Sequence, residues 1–444
     1  MAVIIEKTRK TEVIDTVDVC VIGGSATGVF AAVRAAKKGL KVAIVEKQNC
    51  FGGTAASGLV HIWHSIHDTE NKFQIIGGLT EEIINRLKVR SSVICNPTSK
   101  SSAYILNTEE LKIELDKLIV ENNIIPYLHS YFCTAVCEDD KISHIIIENK
   151  DGRNAISARF FIDASGDGDL CNCLEVPSYR NQNEQPPTMC AKIMGTESIM
   201  KNTTDLIREH REEFGLEKDW GWHQVIPSAP DVIMHAETHV FNRDLASAAD
   251  LTYSEIEGRR QIRAVMDCIK KYAKKDITLL SLPSYIGIRE TRHIKSHHKM
   301  TGDELLGGTR FTDAILNGSY RVDIHHSDDF GITFKYLDGK QNTITDKSVW
   351  TRWREETEKN PTFYQVPYRS LIPKTDIKNL LFCGRMIDAD PVAYSALRVM
   401  VNANQMGEAA GMAAALAVEG DIAAHDVNTG TLRNELQKAG AIML

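Results

Sequence analysis

The sequence predicts an α/β fold in which the two ends of the chain build one parallel sheet and an α+β section is inserted between them. Near the start, residues 17–47 have the pattern of a strand, a tight turn, a helix and a second strand. Near the end, an apolar run at residues 380–383 again meets glycine and then a helix rich in small residues. Between these ends, charged helices replace glycine-rich turns. We therefore predict one domain from segments 1–171 and 376–444, and an inserted domain at 172–375.

The first predicted element is a βαβ unit. An apolar strand at residues 17–22 stops at Gly23 and Gly24, and a second β-branched run at 42–45 ends on Glu46. Between the strands, small residues recur at helical spacing: Ala26, Gly28, Ala31, Ala32, Ala35 and Ala36. The unit therefore places an acid at the tip of its second strand, beside the glycine turn.

Such a unit is suited to binding a dinucleotide. Gly23 lets the chain turn off the strand, Gly28 lets helix and sheet approach closely, and the helix N-terminus directs N–H groups at a pyrophosphate. Glu46 suits an acceptor for ribose hydroxyls. Ser25 occupies the second glycine position of the G-x-G-x-x-G pattern and adds a hydroxyl there. The alternative is an ordinary glycine-rich turn between strand and helix.

Charge and composition exclude several classes of partner. The 444 residues carry 52 basic and 59 acidic side chains, with a net charge of −7 and no long run of either sign. Nucleic acid and anionic membranes are therefore poor main partners. The charged N-terminus lacks the apolar core of a signal peptide. We expect a cytoplasmic protein that acts on a small molecule, and whether it forms a homo-oligomer is open.

Cysteines and histidines offer two further hypotheses near the turn. The ten cysteines form no C-x-x-C pair, which favours buried free thiols in a reducing compartment, with a redox role for Cys50 as the alternative. His61, His64 and His67 recur every third residue, which on a helix gives one stripe. A metal site there lacks a carboxylate or thiolate at matching spacing. We therefore favour packing near a pocket and assign no metal to the chain.

The rest of the first segment reads as helices, a β-meander and an acidic turn. We predict helices at residues 80–90 and 108–122, with Asn107 or Thr108 as the N-cap of the second. Short strands follow at 131–137, 142–148 and 154–158, and a buried strand at 160–162 runs into the glycine-rich acidic stretch 163–169. A calcium loop at that stretch does not fit EF-hand spacing, so a ligand at the sheet edge is preferred.

The inserted section carries two motifs of interest. We predict a helix at 254–274 and strands at 189–194 and 277–282. Arg289 and Arg292 lie three residues apart, and His325 and His326 are adjacent. The arginines either form ion pairs within the protein or bind an anionic group of substrate or cofactor, which the guanidinium fork suits.

The final segment repeats the pattern of the first: a short apolar strand, then glycine, then a helix with small residues. A strand at 380–383 ends at Gly384 and Arg385, and a small-residue helix is predicted at 395–418. Its small residues permit close packing against the sheet, and its N-terminus, near residues 394–398, is expected to face the same crevice as Gly23.

Eight motifs follow one another along the chain in the order in which one known family has them. They are GGSATG, GGTA, IDASGDGDL, IGIRETR, DIHH, VPYRSLIP, LLFCGRMIDAD and ALRVMVNANQMGEAAGMAAALA. The chain resembles the FAD-dependent oxidoreductase family of the glutathione-reductase-like flavoprotein superfamily from about residue 17 to 419. The resemblance implies a Rossmann-like FAD-binding domain of the glutathione-reductase type, with three layers (ββα/β), built from both chain ends. A substrate domain would lie between them.

The resemblance also implies which residues contact FAD. The glycine turn would hold the pyrophosphate, Glu46 the adenosine ribose, the meander and the acidic turn the adenine, and the last segment the flavin ring. The implied set is Gly23, Gly24, Ser25, Ala26, Thr27, Gly28, Glu46, Lys47, Gly53, Thr54, Phe132, Cys133, Ala164, Ser165, Gly166, Gly384, Arg385, Ala396, Leu397 and Arg398.

The implied chemistry is hydride transfer between flavin N5 and a small organic substrate, with an electron donor or acceptor that the sequence does not identify. His325, His326 and Tyr394 are the candidate proton carriers, and Arg289 and Arg292 would position the substrate. A hydroxylated or sugar-like ring would suit the aromatic residues Trp63, Tyr104, Trp220, Trp222 and Tyr285, although these residues suit a hydrophobic core equally well. An anionic metabolite would suit the arginines. Two alternatives stay open: a non-redox dinucleotide-using enzyme similar to the thiazole synthases, and a flavin-binding sensor or scaffold without turnover.

Overall fold

A computed structural model describes residues 3–6, 8–96, 98–99, 103–217, 221–327, 330–356 and 359–444.

The helices are α1 (Ala26–Lys37), α2 (Gly78–Val89), α3 (Thr108–Glu121), α4 (Asp169–Cys173), α5 (Met200–His210), α6 (Ala248–Ala273), α7 (Gly302–Gly307), α8 (Pro391–Leu397), α9 (Met400–Gly420) and α10 (Thr429–Lys438). The first strands are β1 (Glu12–Ile22), β2 (Val42–Val45), β3 (Ile62–Trp63), β4 (Val93–Cys95), β5 (Tyr104–Leu106), β6 (Ile125–Tyr127), β7 (Tyr131–Glu138), β8 (Lys141–Asn149) and β9 (Gly152–Asp163). The remaining strands are β10 (Ser178–Tyr179), β11 (Ala191–Met194), β12 (Trp222–Ile226), β13 (Ala229–Ala236), β14 (Thr278–Ser281), β15 (His293–Ile294), β16 (Ala314–Gly318), β17 (Val322–His325), β18 (Ile332–Lys335), β19 (Lys340–Ile344), β20 (Ser348–Arg352), β21 (Tyr364–Pro367) and β22 (Leu380–Phe382).

A mixed α/β, Rossmann-like sheet forms the centre of the fold. Strands β6, β2, β1 and β9 are parallel neighbours, and β22, from the C-terminal segment, pairs in parallel with the end of β9. The first half of β9 pairs with β8 in the antiparallel meander β7-β8-β9. The strands predicted separately at 154–158 and 160–162 are therefore one strand that serves both parts of the sheet. Both chain ends contribute to this sheet, as predicted.

The βαβ unit has the expected local geometry. Gly23 leaves β1 with φ +103°, a conformation that favours glycine, and its N–H donates to Val45 O at 2.8 Å. A Cβ added to Gly28 would lie 1.9 Å from Gly23 O, so only glycine permits this approach of α1 to the turn. Helix α3 begins at the predicted residue, with the Asn107 side chain accepting from Glu109 N, whereas α2 begins at Gly78, two residues before the predicted start.

The C-terminal small residues bring two helices together. A Cβ on Gly407 would lie 2.1 Å from Thr27 O, and one on Gly411 would lie 2.1 Å from Ala31 O. The closest approach of α9 is therefore to α1. The single helix predicted at 395–418 is instead α8 and α9, which are separated at Arg398 and Val399.

The inserted section contributes side chains to four hydrophobic cores among the described residues. Strands β12-β13-β11-β14 form an antiparallel sheet, and side chains of β11 such as Ile193 share a core with Val265 and Ile269 of α6. The predicted helix at 254–274 begins six residues earlier, at Ala248. Further along, Leu316 and Tyr364 pack into the same core as α1 and α9. The boundaries at 171 and 375 stay predictions. Over the described ranges, no helix is both long and apolar enough to cross a membrane.

Candidate functional site

A cavity of about 430 Å³ opens where the parallel strands of the central sheet end. Gly23, Glu46, Ala164 and Gly384 each follow the carboxyl end of a strand, and all four line it. Ligands of open α/β sheets bind at this edge. The predicted residues that line the cavity are Gly23, Ser25, Ala26, Thr27, Glu46, Lys47, Gly53, Thr54, Ala164, Ser165, Gly166, Arg289, His325, Gly384, Arg385 and Arg398.

Glu46 anchors one end of the cavity. Its Oε2 accepts from Gly24 N at 2.6 Å and its Oε1 accepts from Gln48 N at 2.8 Å, so the buried carboxylate fixes the turn opposite it. Gly24 and Gly28 do not line the cavity but shape the turn that does. A Cβ on Gly53 would lie 2.7 Å from Ser25 Cβ, which shows how closely the second glycine loop approaches the turn.

The acidic turn after β9 holds itself together through Asp163. This buried carboxylate accepts from Ser165 N, Ser165 Oγ and Cys171 N at 2.7–3.1 Å. Asp167 accepts from Arg385 Nη2 at 2.5 Å, and its other oxygen lies 3.7 Å from Lys47 Nζ. Burial opposes ionisation of Asp167, but Arg385 and Lys47 lower its pKa. Asp163 and Asp167 are therefore engaged with protein N–H, hydroxyl and cationic groups.

The start of α9 forms another wall, a few residues beyond the helix N-terminus that the sequence places at 394–398, and its lining residues were not identified from the sequence. Met400, Ala403 and Asn404 lie on one face of the helix and line the cavity. Asn404 is fully buried, and within the part of the chain that the structure describes neither Nδ2 nor Oδ1 of its side chain has a hydrogen-bond partner. A buried carboxamide without hydrogen-bond partners costs free energy, so we expect a polar ligand to bind this side chain. The spacing i, i+3, i+4 is the signal that could have found this face.

Charged groups converge on the cavity beside the inserted section. Arg398 Nη2 lies 3.4 Å from Asp323 Oδ1 and donates to Gln185 Oε1 at 3.1 Å. His325 Nε2 lies 3.3 Å from the same Asp323 oxygen, and the Tyr320 hydroxyl donates to Asp323 Oδ2 at 2.6 Å. Two cationic side chains, Arg289 and Arg398, therefore share this part of the wall with one carboxylate.

Burial sets the protonation of this cluster. Burial, followed by the charge of Arg398, lowers the pKa of Arg289 to about 9, which leaves the guanidinium charged at neutral pH. Burial, then Arg289 and Arg398, lower the pKa of His325 well below its usual range. His325 is therefore a neutral imidazole at pH 7. Arg289 itself is held by Pro186 O and by Thr188 Oγ1, at 2.5 and 2.7 Å.

The family model described as FAD dependent oxidoreductase matches residues 18–436. The chain belongs to this family. Its cofactor is accordingly FAD, and the buried Asn404 amide and the glycine turn beside Glu46 fit a large polar dinucleotide.

Two curated relatives match a short part of the family member. Mitochondrial dihydrolipoyl dehydrogenase of Schizosaccharomyces pombe is 33% identical over 93 residues, which is 18% of this chain and 18% of that protein. Dihydrolipoyl dehydrogenase of Trypanosoma brucei brucei is 38% identical over 106 residues, which is 21% of this chain and 22% of that protein. The chain thus spans about a fifth of the length of the curated relatives that it matches.

Solved structures of similar extent are much more distant in sequence. A geranylgeranyl bacteriochlorophyll reductase-like protein of Thermoplasma acidophilum is 12% identical, with 96% of this chain and 83% of that chain covered and a TM-score of 0.44. The myxobacterial chondrochloren halogenase is 12% identical, with 96% and 80% covered and a TM-score of 0.47.

Several predicted site residues lie away from the cavity of the flavoprotein. Arg292 donates to Asp167 O at 3.3 Å, and His326 Nε2 lies 2.8 Å from Thr333 Oγ1. His325 and His326 separate because successive side chains along an extended segment point to opposite sides. The Tyr394 hydroxyl donates to Arg289 O at 2.6 Å and so supports the arginine from behind.

Four predicted FAD contacts are also outside the lining. Ala396 and Leu397 are buried inside α8, one turn before the cavity-facing start of α9. Phe132 packs against the core of the meander, and the Cys133 thiol contacts Tyr131 O at the sheet edge. The structure therefore does not bring these side chains to the cavity.

The histidine stripe does not form, because the segment is a short strand and turns instead of a helix. His61 Nε2 lies 3.1 Å from Val225 O, whereas His64 stacks on Tyr320 with ring centroids 3.8 Å apart and lines the cavity. Burial raises the pKa of the Cys50 thiol, which weakens a redox role. Trp222 and Tyr285 line the cavity, Trp63 and Tyr104 belong to the core, and Trp220 lies outside the described residues.

Proposed function

We propose that this family member transfers a hydride between FAD and a small organic anion that binds against Arg289 and Arg398. The observation that carries the proposal is the excess of positive charge at one end of the cavity. Two guanidinium groups face one carboxylate there, Asp323, and the neighbouring His325 is neutral at pH 7. A carboxylate or similar anion would balance this charge and pair with the planar fork of arginine.

The proposed FAD contacts follow the cavity wall. Gly23, Ser25 and the N-terminus of α1 would receive the pyrophosphate, and the remaining lone pairs of Glu46 would accept from ribose hydroxyls. Gly53, Thr54 and the start of α9 would lie along the flavin, where Asn404 offers both a donor and an acceptor. When bound, FAD supplies a two-electron hydride acceptor or donor at its N5 atom.

The arginine cluster would orient the anion so that its reacting carbon faces the cavity beside Met400 and Ala403. Arg289 is held rigidly by Pro186 O, Thr188 and the Tyr394 hydroxyl on its own carbonyl, so it is organised before substrate arrives. This preorganisation lowers the entropy cost of positioning the substrate. Arg289 stays charged at neutral pH, so affinity would depend on the ionised form of the substrate.

His325 would exchange the proton that accompanies the hydride. In oxidation, the substrate C–H bond gives its hydrogen and electron pair as hydride, and the adjacent O–H or N–H bond gives its proton to the neutral imidazole. The product is a C=O or C=N bond. In the reverse direction the imidazolium returns the proton. Because the pKa of His325 is lowered well below its usual range, the neutral form that would accept the proton is the form present at neutral pH.

The first test is anaerobic reduction of the bound flavin by a panel of hydroxy and amino acids, sugar acids and their neutral amides. We expect flavin bleaching by one class of anion and slow or no bleaching by the matching amides. The variant Arg289→Lys is expected to raise the apparent Kd for the anion about tenfold or more, at unchanged FAD content, since lysine cannot form the bidentate pair. Arg292→Lys is the matched control, because Arg292 lies outside the cavity.

A second pair of variants tests the proton carrier. His325→Asn is expected to retain FAD and to slow flavin reduction by about 100-fold, whereas His326→Asn is expected to match the parent rate. Equal rates in both variants would contradict the role of His325. If no anion in the panel bleaches the flavin, hydride transfer to this substrate class is wrong, and a flavin-binding sensor or a non-redox enzyme becomes the better description.

A further inference from the structure

A group of side chains that can act as metal ligands lies on one face of the inserted sheet. On β12 and β13, His223 pairs directly with His235, and Glu237 follows His235 by two residues. Paired residues and residues two apart share one face of a sheet. The opposite face carries Trp222, Ala236 and Met234, which pack with Leu59.

The three side chains converge tightly. His235 Nδ1 lies 2.7 Å from Glu237 Oε2, and His223 Nδ1 lies 3.1 Å from Glu237 Oε1. One nitrogen or oxygen atom from each residue falls within 4.8 Å of the others. The His235 side chain is 0% exposed, that of Glu237 3% and that of His223 14%. The group is therefore withdrawn from bulk water, with a partial opening at His223.

Two threonine hydroxyls hold the group from behind. Thr196 Oγ1 lies 3.1 Å from His235 Nε2, the ring nitrogen that faces away from Glu237. Thr204, on α5, donates to Glu237 Oε1 at 2.8 Å. Metal-binding histidines and carboxylates are characteristically oriented in this way by outer hydrogen bonds, which fix the ring and the carboxylate for the ion.

We propose that His223, His235 and Glu237 bind one divalent transition-metal ion, with Zn²⁺, Fe²⁺ and Mn²⁺ as the class that this ligand set accepts. Two imidazoles and one carboxylate are typical ligands of these ions. One ligand atom from each of the three residues lies within 4.8 Å of the others, which is close enough for the three to share one ion.

The surroundings leave room for the rest of the coordination sphere. A small hollow of about 30 Å³ adjoins Glu237 and is lined by Thr204, Gly221 and Thr238. This is enough space for a water molecule, which could complete the sphere beside the protein ligands. An ion here would tie β12 to β13 and to α5. Because His223 also borders the main cavity, the ion would stiffen that wall.

The spacing of the three ligands along the sequence does not predict this site. His235 and Glu237 are two residues apart, but His223 joins them only through the antiparallel pairing of β12 with β13. The metal proposal can be tested separately from the proposed hydride transfer, because metal content is measured without any substrate.

The test is the metal content of the FAD-loaded, full-length protein. The protein is incubated separately with Zn²⁺, Mn²⁺ and Fe²⁺ (the last anaerobically), desalted, and analysed by inductively coupled plasma mass spectrometry. We expect about one ion per chain for at least one metal. Glu237→Gln and His235→Asn are expected to reduce the content to background, and His144→Asn, a histidine on β8 that contacts Ser143, is expected to retain it.

Flavin absorption of each variant reports folding, and Glu237→Gln keeps the volume of the side chain if His235→Asn does not fold. A chelator is expected to lower the Tm of the parent protein and to leave that of Glu237→Gln unchanged. Absence of a bound ion in the parent protein for all three metals, or equal metal content in Glu237→Gln, would overturn the proposal. The three side chains would then be a hydrogen-bonded group only.

Discussion

Gly28 lies directly over the carbonyl oxygen of Gly23, at the start of α1. A Cβ at this position would lie 1.9 Å from that oxygen and 3.3 Å from the Ala164 side chain. Both neighbours belong to turns that line the cavity, so neither can move without changing the proposed FAD site. We expect Gly28→Ala to destabilise the protein by about 2 kcal/mol or more and to reduce FAD occupancy. Thermal unfolding and the ratio of flavin to protein absorption measure the two effects.

The control for this variant is Gly307→Ala. Gly307 is also helical, but apart from its chain neighbours and the backbone of its own helix no described atom lies within 4 Å of the position that its Cβ would take. Alanine is a better helix former than glycine by about 1 kcal/mol, so this change is expected to be neutral or slightly stabilising. Full FAD occupancy and an unchanged Tm in Gly28→Ala would show that the turn can relax.

At the scale of elements, a buried ion pair joins α1 to α9. Arg34 Nε donates to Glu408 Oε2 at 2.8 Å, and the two side chains are only 4% and 2% exposed. The other carboxylate oxygen accepts from Leu79 N at 3.1 Å, near the start of α2. One carboxylate therefore connects three helices on the same side of the sheet.

Removal of one partner of this pair would leave a buried charge without compensation. We expect Glu408→Gln to destabilise the protein by about 3–5 kcal/mol, and Arg34→Met to do the same. The double variant is expected to lose less than the sum of the two, because neither charge remains. Denaturant unfolding of the four proteins with FAD bound measures the coupling, and strictly additive losses would contradict it. Lys37→Met is the control, because its contact with Glu82, at 3.5 Å, is exposed.

Elements governed by local sequence were predictable, whereas their interruptions were not. The glycine turn, α1, α3 and the meander follow from periodicity and caps that neighbouring residues specify. The division of residues 395–418 into α8 and α9 carries no glycine or proline at Arg398 and Val399, so periodicity alone predicts one helix. The stripe predicted from His61, His64 and His67 is wrong, because a spacing of three residues gives a stripe only on a helix. This segment instead pairs as strand β3.

At the scale of the whole molecule, the cavity depends on long-range packing. Its wall contains residues near positions 23, 46, 164, 189, 223, 289, 323, 385 and 400, drawn from every part of the chain. The sequence predicts the glycine turns, Glu46 and the candidate cations, since each has a local motif. It cannot predict that Arg289 enters the cavity and Arg292 does not, because that choice depends on how the inserted section packs against the central sheet.

Because residues from the whole chain line the cavity, we predict that FAD release and unfolding occur together. Residues from both chain ends and from the inserted section share one core with α1 and α9, so release of FAD would accompany unfolding of that core. We expect flavin fluorescence to rise at the same temperature at which far-UV circular dichroism is lost. Excess FAD, at about 100 times its Kd, is expected to add about 2.7 kcal/mol of stability to the apoprotein.

FMN is the matched control for this experiment, because it lacks the adenosine that the Glu46 end of the cavity is proposed to bind. Glu46 fixes the glycine turn through Gly24, so a ligand that reaches Glu46 would stabilise β1, β2 and α1 as well as the flavin end. At equal ligand concentration, FMN is therefore expected to bind more weakly than FAD and to raise the Tm of the apoprotein by less. An equal rise would mean that the Glu46 end contributes nothing to binding. Flavin release well below the unfolding temperature would mean that the two parts of the wall separate before the core melts.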